Sequence, residues 1–411
     1  MLKKVLILFA VLLILSPFLL VFFGREYEHK LSFFNDILER VHPGFKPDTN
    51  STIKIVQEPV IVNESQYSNL FEPGKEHILS MPAGFKVNVF RTNLGEAGFM
   101  AFDAQGQLYV SLVDRRQIVR LIDADDDGIA EDIKVFKDLL TAPRGIEFRD
   151  GWLYVSDSDR LLRIRDADGD GLAEEEEILD DTLPQGGNRS GALRFDPDGN
   201  LLISVSATCE ACLESDDRRA SILRYNDAGD SSIIARGVRK IGDFHYLPDG
   251  SLWATESERM GIDINDEINS ITADSDYGWP YCFNDKTLYD SLPAPEDNYC
   301  ANTVSPLVYL PGGSAPRGMA YIQDSRFPDY LQNKLLVVLY GSEDAALASR
   351  GFKVILIDPQ NPGEKPVDCL YGWNLGGQKW GRPNYIITNN EGELFISDEY
   401  SGTVYRVIYE E

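Results

Sequence analysis

The chain has 411 residues, of which 43% are hydrophobic and 11% aromatic, and a formal net charge of -27. That is enough apolar material for a large core. The excess of acid argues against nucleic acid or an anionic membrane surface as a partner, because both would be repelled. The first element in chain order is an uncharged run from Val5 to Phe23 behind Lys3 and Lys4. Nineteen helical residues span about 28 Å, close to the roughly 30 Å hydrocarbon core. Residues 1–24 are therefore predicted to be a transmembrane anchor. A cleaved signal sequence is the rival reading, and in both cases the basic start stays inside and the rest is exported. Residues 25–80 read as a polar, proline-punctuated stalk with one strand-like run, IKIVQEPVIV. Asn50 and Asn63 head N-x-S/T sequons, which matter only in a eukaryotic secretory pathway.

From residue 82 onward a unit recurs: a glycine, an apolar run ending in an aromatic, a polar turn with glycine, and a second apolar run. Gly98, Phe102, Gly106 and LYVS form the first copy, and Gly191, Phe195, Gly199 and LLIS the clearest one. The turn glycines Gly106, Gly151, Gly199 and Gly250 lie 45, 48 and 51 residues apart. This is the period expected when a four-stranded sheet repeats. With two looser copies near Gly318 and Gly392, the pattern predicts an all-β, six-bladed propeller over residues 82–411. The last blade has three strands of its own, so the early run at 85–90 is predicted to complete it and close the ring.

Asp166, Asp168, Asp170 and Gly171, followed by Glu174 and Glu177, match a calcium loop in which spaced carboxylates face one centre. The preceding blade carries a second version with Asp123, Asp125 and Asp127, but Lys134 stands where the closing Glu would be. Of the five cysteines, Cys282 and Cys300 bracket one loop and are expected to bridge, Cys369 is left over, and Cys209 and Cys212 form a C-x-x-C that is either a local disulfide or a pair of thiols. In a propeller the start of each innermost strand lines the central channel. Those positions supply Arg144, Arg239, Lys240, Arg317 and Arg382, a ring of cations that would trap an anion unless neighbouring acids neutralise it.

The runs LPQGGNRSGALRFDPDG, ARGVRK, DEINSITADSDYGWPYC and WGRP appear in one order across the propeller. In them the chain resembles the glucose and sorbosone dehydrogenase family, and GWPYC with the C-x-x-C points to its sorbosone branch. The resemblance implies an exported six-bladed propeller that oxidises sugars with pyrroloquinoline quinone (PQQ) and calcium. It implies a catalytic role for Arg239, cofactor contacts from Lys240, Arg317 and Arg382, and a calcium-binding carbonyl at Gly261. It also places Asn188 where the family has the His that acts as general base, Lys240 where it has Asn, and Tyr340 where the sorbosone branch has His. An amide is not a usable base at neutral pH. The sequence is therefore read as a membrane-anchored, extracytoplasmic propeller resembling quinone-dependent sugar dehydrogenases. The alternative is a calcium-stabilised propeller that has lost the chemistry and serves as a binding module.

Overall fold

Each sequence repeat becomes a four-stranded antiparallel sheet in the computed structural model, which describes residues 53, 55–64, 76–184, 186, 191–258, 261, 263–289 and 292–410. The innermost strands of the six blades are Ala97–Phe102, Pro143–Arg149, Leu193–Phe195, Ile241–Tyr246, Pro316–Ile322 and Pro383–Thr388. The second strands, such as Leu108–Leu112 and Leu252–Glu256, are buried along their whole length, their polar residues included. In the sixth blade Thr403–Tyr409 pairs antiparallel with Phe85–Arg91, so the ring closes with the early strand that the sequence nominated.

The glycines and hydroxyls of the repeat explain how one blade meets the next. Five of the six innermost strands carry a register shift near their start. At these bulges the second strand's Ser or Thr accepts an inner-strand N–H: Ser111 from Phe99, Ser156 from Gly145, Thr255 from Asp243 and Ser397 from Tyr385, at 3.0 to 3.1 Å. The same hydroxyls then donate to the following blade, Ser156 to Gly191 O at 2.7 Å, Thr255 to Arg317 O at 2.9 Å and Ser397 to Gly98 O at 2.7 Å. Contact is so close that a Cβ on Gly242 would lie 2.7 Å from Arg317 Cα, which is why that position has none. A bulge re-aims side chains. Here it falls beside Arg144, Arg317 and Asn384, next to the channel.

The channel does not run through the ring. Arg194, on the third blade's inner strand, reaches Glu147 of the second blade at 3.3 Å, Asp243 of the fourth at 3.3 Å and the Tyr385 hydroxyl of the sixth at 3.2 Å. Met319 N of the fifth donates to Asp243 at 3.1 Å, and Phe99 of the first packs on the Tyr385 ring, with centroids 4.8 Å apart. Every blade thus contributes to a plug on the axis, leaving a cup above it.

One expectation changes. The strand-like run of the supposed stalk is part of the folded body: Gln57–Ile61 pairs with Ile78–Pro82, which joins the outer strand of the fifth blade through Ser80 and Tyr371. Asn63 then bridges to Asn88 on the ring-closing strand. Leu79 and Met81 are fully buried in the core shared by the fifth and sixth blades. The ordered fold therefore begins well before residue 82. The anchor expected at 5–23 and the Asn50 sequon lie outside the described residues; among the described residues no helix is long and apolar enough to cross a membrane.

Candidate active site

The wall of the cup is built by the segments that lead into the inner strands. Arg239 is almost fully buried. It donates to Ser257 O at 2.9 Å, Glu258 O at 2.8 Å and Glu210 Oε1 at 2.7 Å. Glu210 sits between Cys209 and Cys212, which form a disulfide, and its backbone oxygen accepts the Trp279 indole N–H at 3.0 Å. The C-x-x-C loop thus serves to carry Arg239's counter-ion. On the neighbouring blades the Tyr340 ring lies against two guanidiniums, Arg317 at 3.7 Å and Arg382 at 3.6 Å from its centroid. The Tyr340 hydroxyl donates to Glu399 at 2.8 Å, Arg317 lies 3.5 Å from Glu399, and Arg382 pairs with Glu343.

The predicted cation ring is therefore assembled, and three of its members are matched by carboxylates. Lys240 differs: among the described residues its amine makes no hydrogen bond or ion pair. Burial, and then Arg317, Arg239 and Arg144, push its pKa down to about 7 against the pull of Glu399. Asn188 lies outside the described residues, as does Ile262 beside Gly261. Between the second and third blades a cavity of about 40 Å³ is lined by Arg144, Arg219, Ser156, Ser158, Ser204 and Ser206. His245 is half-buried on the fourth blade's inner strand, with its pKa pushed down to about 3 by desolvation and by Arg194, so its ring is held neutral.

A group that sequence reasoning missed lies directly behind Arg239. Glu256, Glu258 and Glu267 are all buried, with one carboxylate oxygen from each within 4.8 Å of the others. Glu256 accepts the Arg239 backbone N–H, and Asn269 donates to Glu256 at 2.8 Å. Burial first, and then like charge from Glu258, raise Glu256 and Glu267 well above the usual carboxylate range. The signal in the sequence is the pair of runs TESE and DEIN, which bring three acids to adjoining strands.

The two acidic loops fold alike. Gly128 N and Gly171 N each donate at 2.8 Å to the first Asp of their loop, Asp123 and Asp166. Oxygen ligand atoms gather from Asp123, Asp125, Asp127 and Glu131 in one loop and from Asp166, Asp168 and Glu174 in the other. Glu177, the expected closing ligand, instead pairs with Arg163 at 2.6 Å, because the register of the third and fourth strands sets these two residues opposite each other. Asp170 Oδ1 accepts Leu172 N at 2.8 Å. The disulfide expected between Cys282 and Cys300 is present, and Cys369 is a buried free thiol.

Comparison with known proteins gives the same picture. Residues 152–351 match the family Glucose / Sorbosone dehydrogenase. An uncharacterized protein of Borreliella burgdorferi is 25% identical over 359 residues, covering 81% of this chain and 91% of that one. The holo form of the PQQ domain of pyranose dehydrogenase from Coprinopsis cinerea superposes with a TM-score of 0.67 at 16% identity, covering 82% of this chain and 98% of that one. A calcium structure of a Trichoderma reesei carbohydrate-active enzyme of family AA12 gives 0.68 at 15% identity, over 80% and 96% of the two chains. At these identities the structural likeness concerns the fold.

Proposed function

We propose that the resemblance to the glucose/sorbosone dehydrogenases extends from fold to chemistry, and that this chain is an extracytoplasmic, membrane-anchored propeller that oxidises a sugar or related aldehyde with PQQ and calcium. The observation that carries this reading is the blind cup with Arg239, Lys240, Arg317 and Arg382 on its wall in a chain of net charge -27. The donor set suits a quinone bearing carboxylates: among the described residues Arg239 Nε is buried without a hydrogen-bond partner, and the Lys240 amine makes no ion pair. When bound, the quinone would supply the acceptor for hydride from the sugar carbon. Arg317 and Arg382, held flat by Tyr340, would receive carboxylates as planar bidentate donors. The Gly261 carbonyl would serve a calcium ion at the quinone, and the loops at Asp123, Asp125 and Asp127 and at Asp166 and Asp168 would hold structural calcium. The two disulfides support an oxidising compartment.

Asn188 sets the rate in this reading. Its amide can orient a sugar hydroxyl but cannot take the proton, and a positioned base contributes roughly 10²- to 10⁴-fold. Aldose oxidation by the native protein is therefore expected to be weak, and Asn188→His should raise quinone-dependent dye reduction at least tenfold. A second reading, a binding module without turnover, draws support from Glu210, Glu343 and Glu399, which already neutralise three of the guanidiniums. Calorimetric titration of the calcium-loaded protein with PQQ, followed by aldose and a redox dye, separates the two. Binding without reduction in both native and Asn188→His protein selects the module, and absence of binding defeats the dehydrogenase reading.

A further inference from the structure

Lys240 is a cation of the cup whose amine has no hydrogen bond or ion pair among the described residues. The guanidinium of Arg239 is engaged by Glu210, Arg317 by Glu399 and Asn384, and Arg382 by Glu343. Glu399, the carboxylate that acts on Lys240, is held by Tyr340 and Arg317. The Lys240 backbone cannot retreat from these charges. Its carbonyl is fixed by Ser257 N at 2.9 Å, and two residues later Gly242 abuts Pro316 and Arg317 of the next blade. The residue is half-buried and not sealed in the core.

We propose that Lys240 is a reactive amine that condenses with the carbonyl group of a small anionic aldehyde or 2-oxo acid drawn into the cup by the neighbouring guanidiniums. The amine nitrogen attacks the carbonyl carbon and a C–N bond forms. The carbonyl oxygen leaves as water with both amine hydrogens, giving an imine with no change of oxidation state. An amine desolvated among other cations is the arrangement that makes lysine a nucleophile near neutral pH. An ordinary lysine is neutral there in only about one molecule in a few thousand, whereas Lys240, with its pKa near 7, is neutral in a large fraction. The facing charges are Arg144, Arg239 and Arg317, opposed by Glu399. This assignment does not need the quinone.

The test uses the full chain without quinone at pH 7, treated with pyridoxal 5′-phosphate, trapped with cyanoborohydride, digested and mapped by mass spectrometry. Lys240 should carry the dominant adduct, forming at least tenfold faster than on an exposed lysine such as Lys86. Lys240→Arg should remove that adduct while the melting temperature holds. Because the native map alone identifies the site, the result does not depend on the variant folding. Label spread over exposed lysines with Lys240 unmodified overturns the proposal. Equal labelling of Lys240 by benzaldehyde, which carries no charge, overturns the anionic class of ligand.

Discussion

Asp398 ends the second strand of the sixth blade with no exposure to water, accepting Tyr400 N at 3.0 Å, Ser401 N at 2.8 Å and the Tyr405 hydroxyl at 3.2 Å. Burial outweighs these bonds and raises its pKa from 3.8 to about 6. The folded protein therefore holds a proton on Asp398 that the unfolded chain has already lost. Its contribution to stability is complete below about pH 4 and fades as pH rises through 6. Asp398→Asn should flatten the fall in unfolding free energy between pH 4 and 6.5, read from urea titrations at several pH values; an unchanged slope would show that the carboxyl titrates normally. The cation ring was legible from repeat position alone, since the bulge beside Arg144 and Arg317 is imposed by the glycine and hydroxyl of each unit. The pairing of those cations with Glu210, Glu343 and Glu399 was not, because each acid comes from a loop far from its partner in sequence.

At the scale of the elements, the acidic loops sit where the third strand of a blade turns back into the fourth, and each backs onto its neighbour. Gly128 lies against Arg406 of the sixth blade, and Gly171 faces Arg120 of the first. An ion in either loop would bind only the folded state and stabilise it by mass action. Excess chelator should lower the melting temperature by several degrees, and the double variant Asp123→Asn, Asp166→Asn should abolish that response. Equal melting curves with calcium and with chelator would refute both sites. The loops themselves could be read from spacing, which places alternate carboxylates on one centre. The choice of Glu174 over Glu177 could not, because it depends on a strand register that gives Glu177 to Arg163.

Across the whole molecule, ring closure and the axial plug hold the blades together. The period of the repeat revealed the blades and the closing strand, since alternating turn glycines and buried apolar runs are local signals. The burial of Leu79 and Met81 escaped it because their partners, near Cys369 and Leu370, lie almost three hundred residues away. Removing everything before Ala83 should expose that part of the core and lower the melting temperature by roughly 5 °C or more. A truncated chain that melts like the full one would show that the preceding strands only rest on the surface. Their position also determines how the protein bears load. Tension applied ahead of Gln57 meets the pair Gln57–Ile61 and Ile78–Pro82 first, and that pair is joined to the outer strand of the fifth blade by the pairing of Ser80 with Tyr371 and by the Gln57 side chain, which donates to Asp368 O and Cys369 O. Just beyond it Asn63 is bonded to Val87 and Val89, so a pull from the amino end meets two seams in series, the second lying on the very strand that closes the ring.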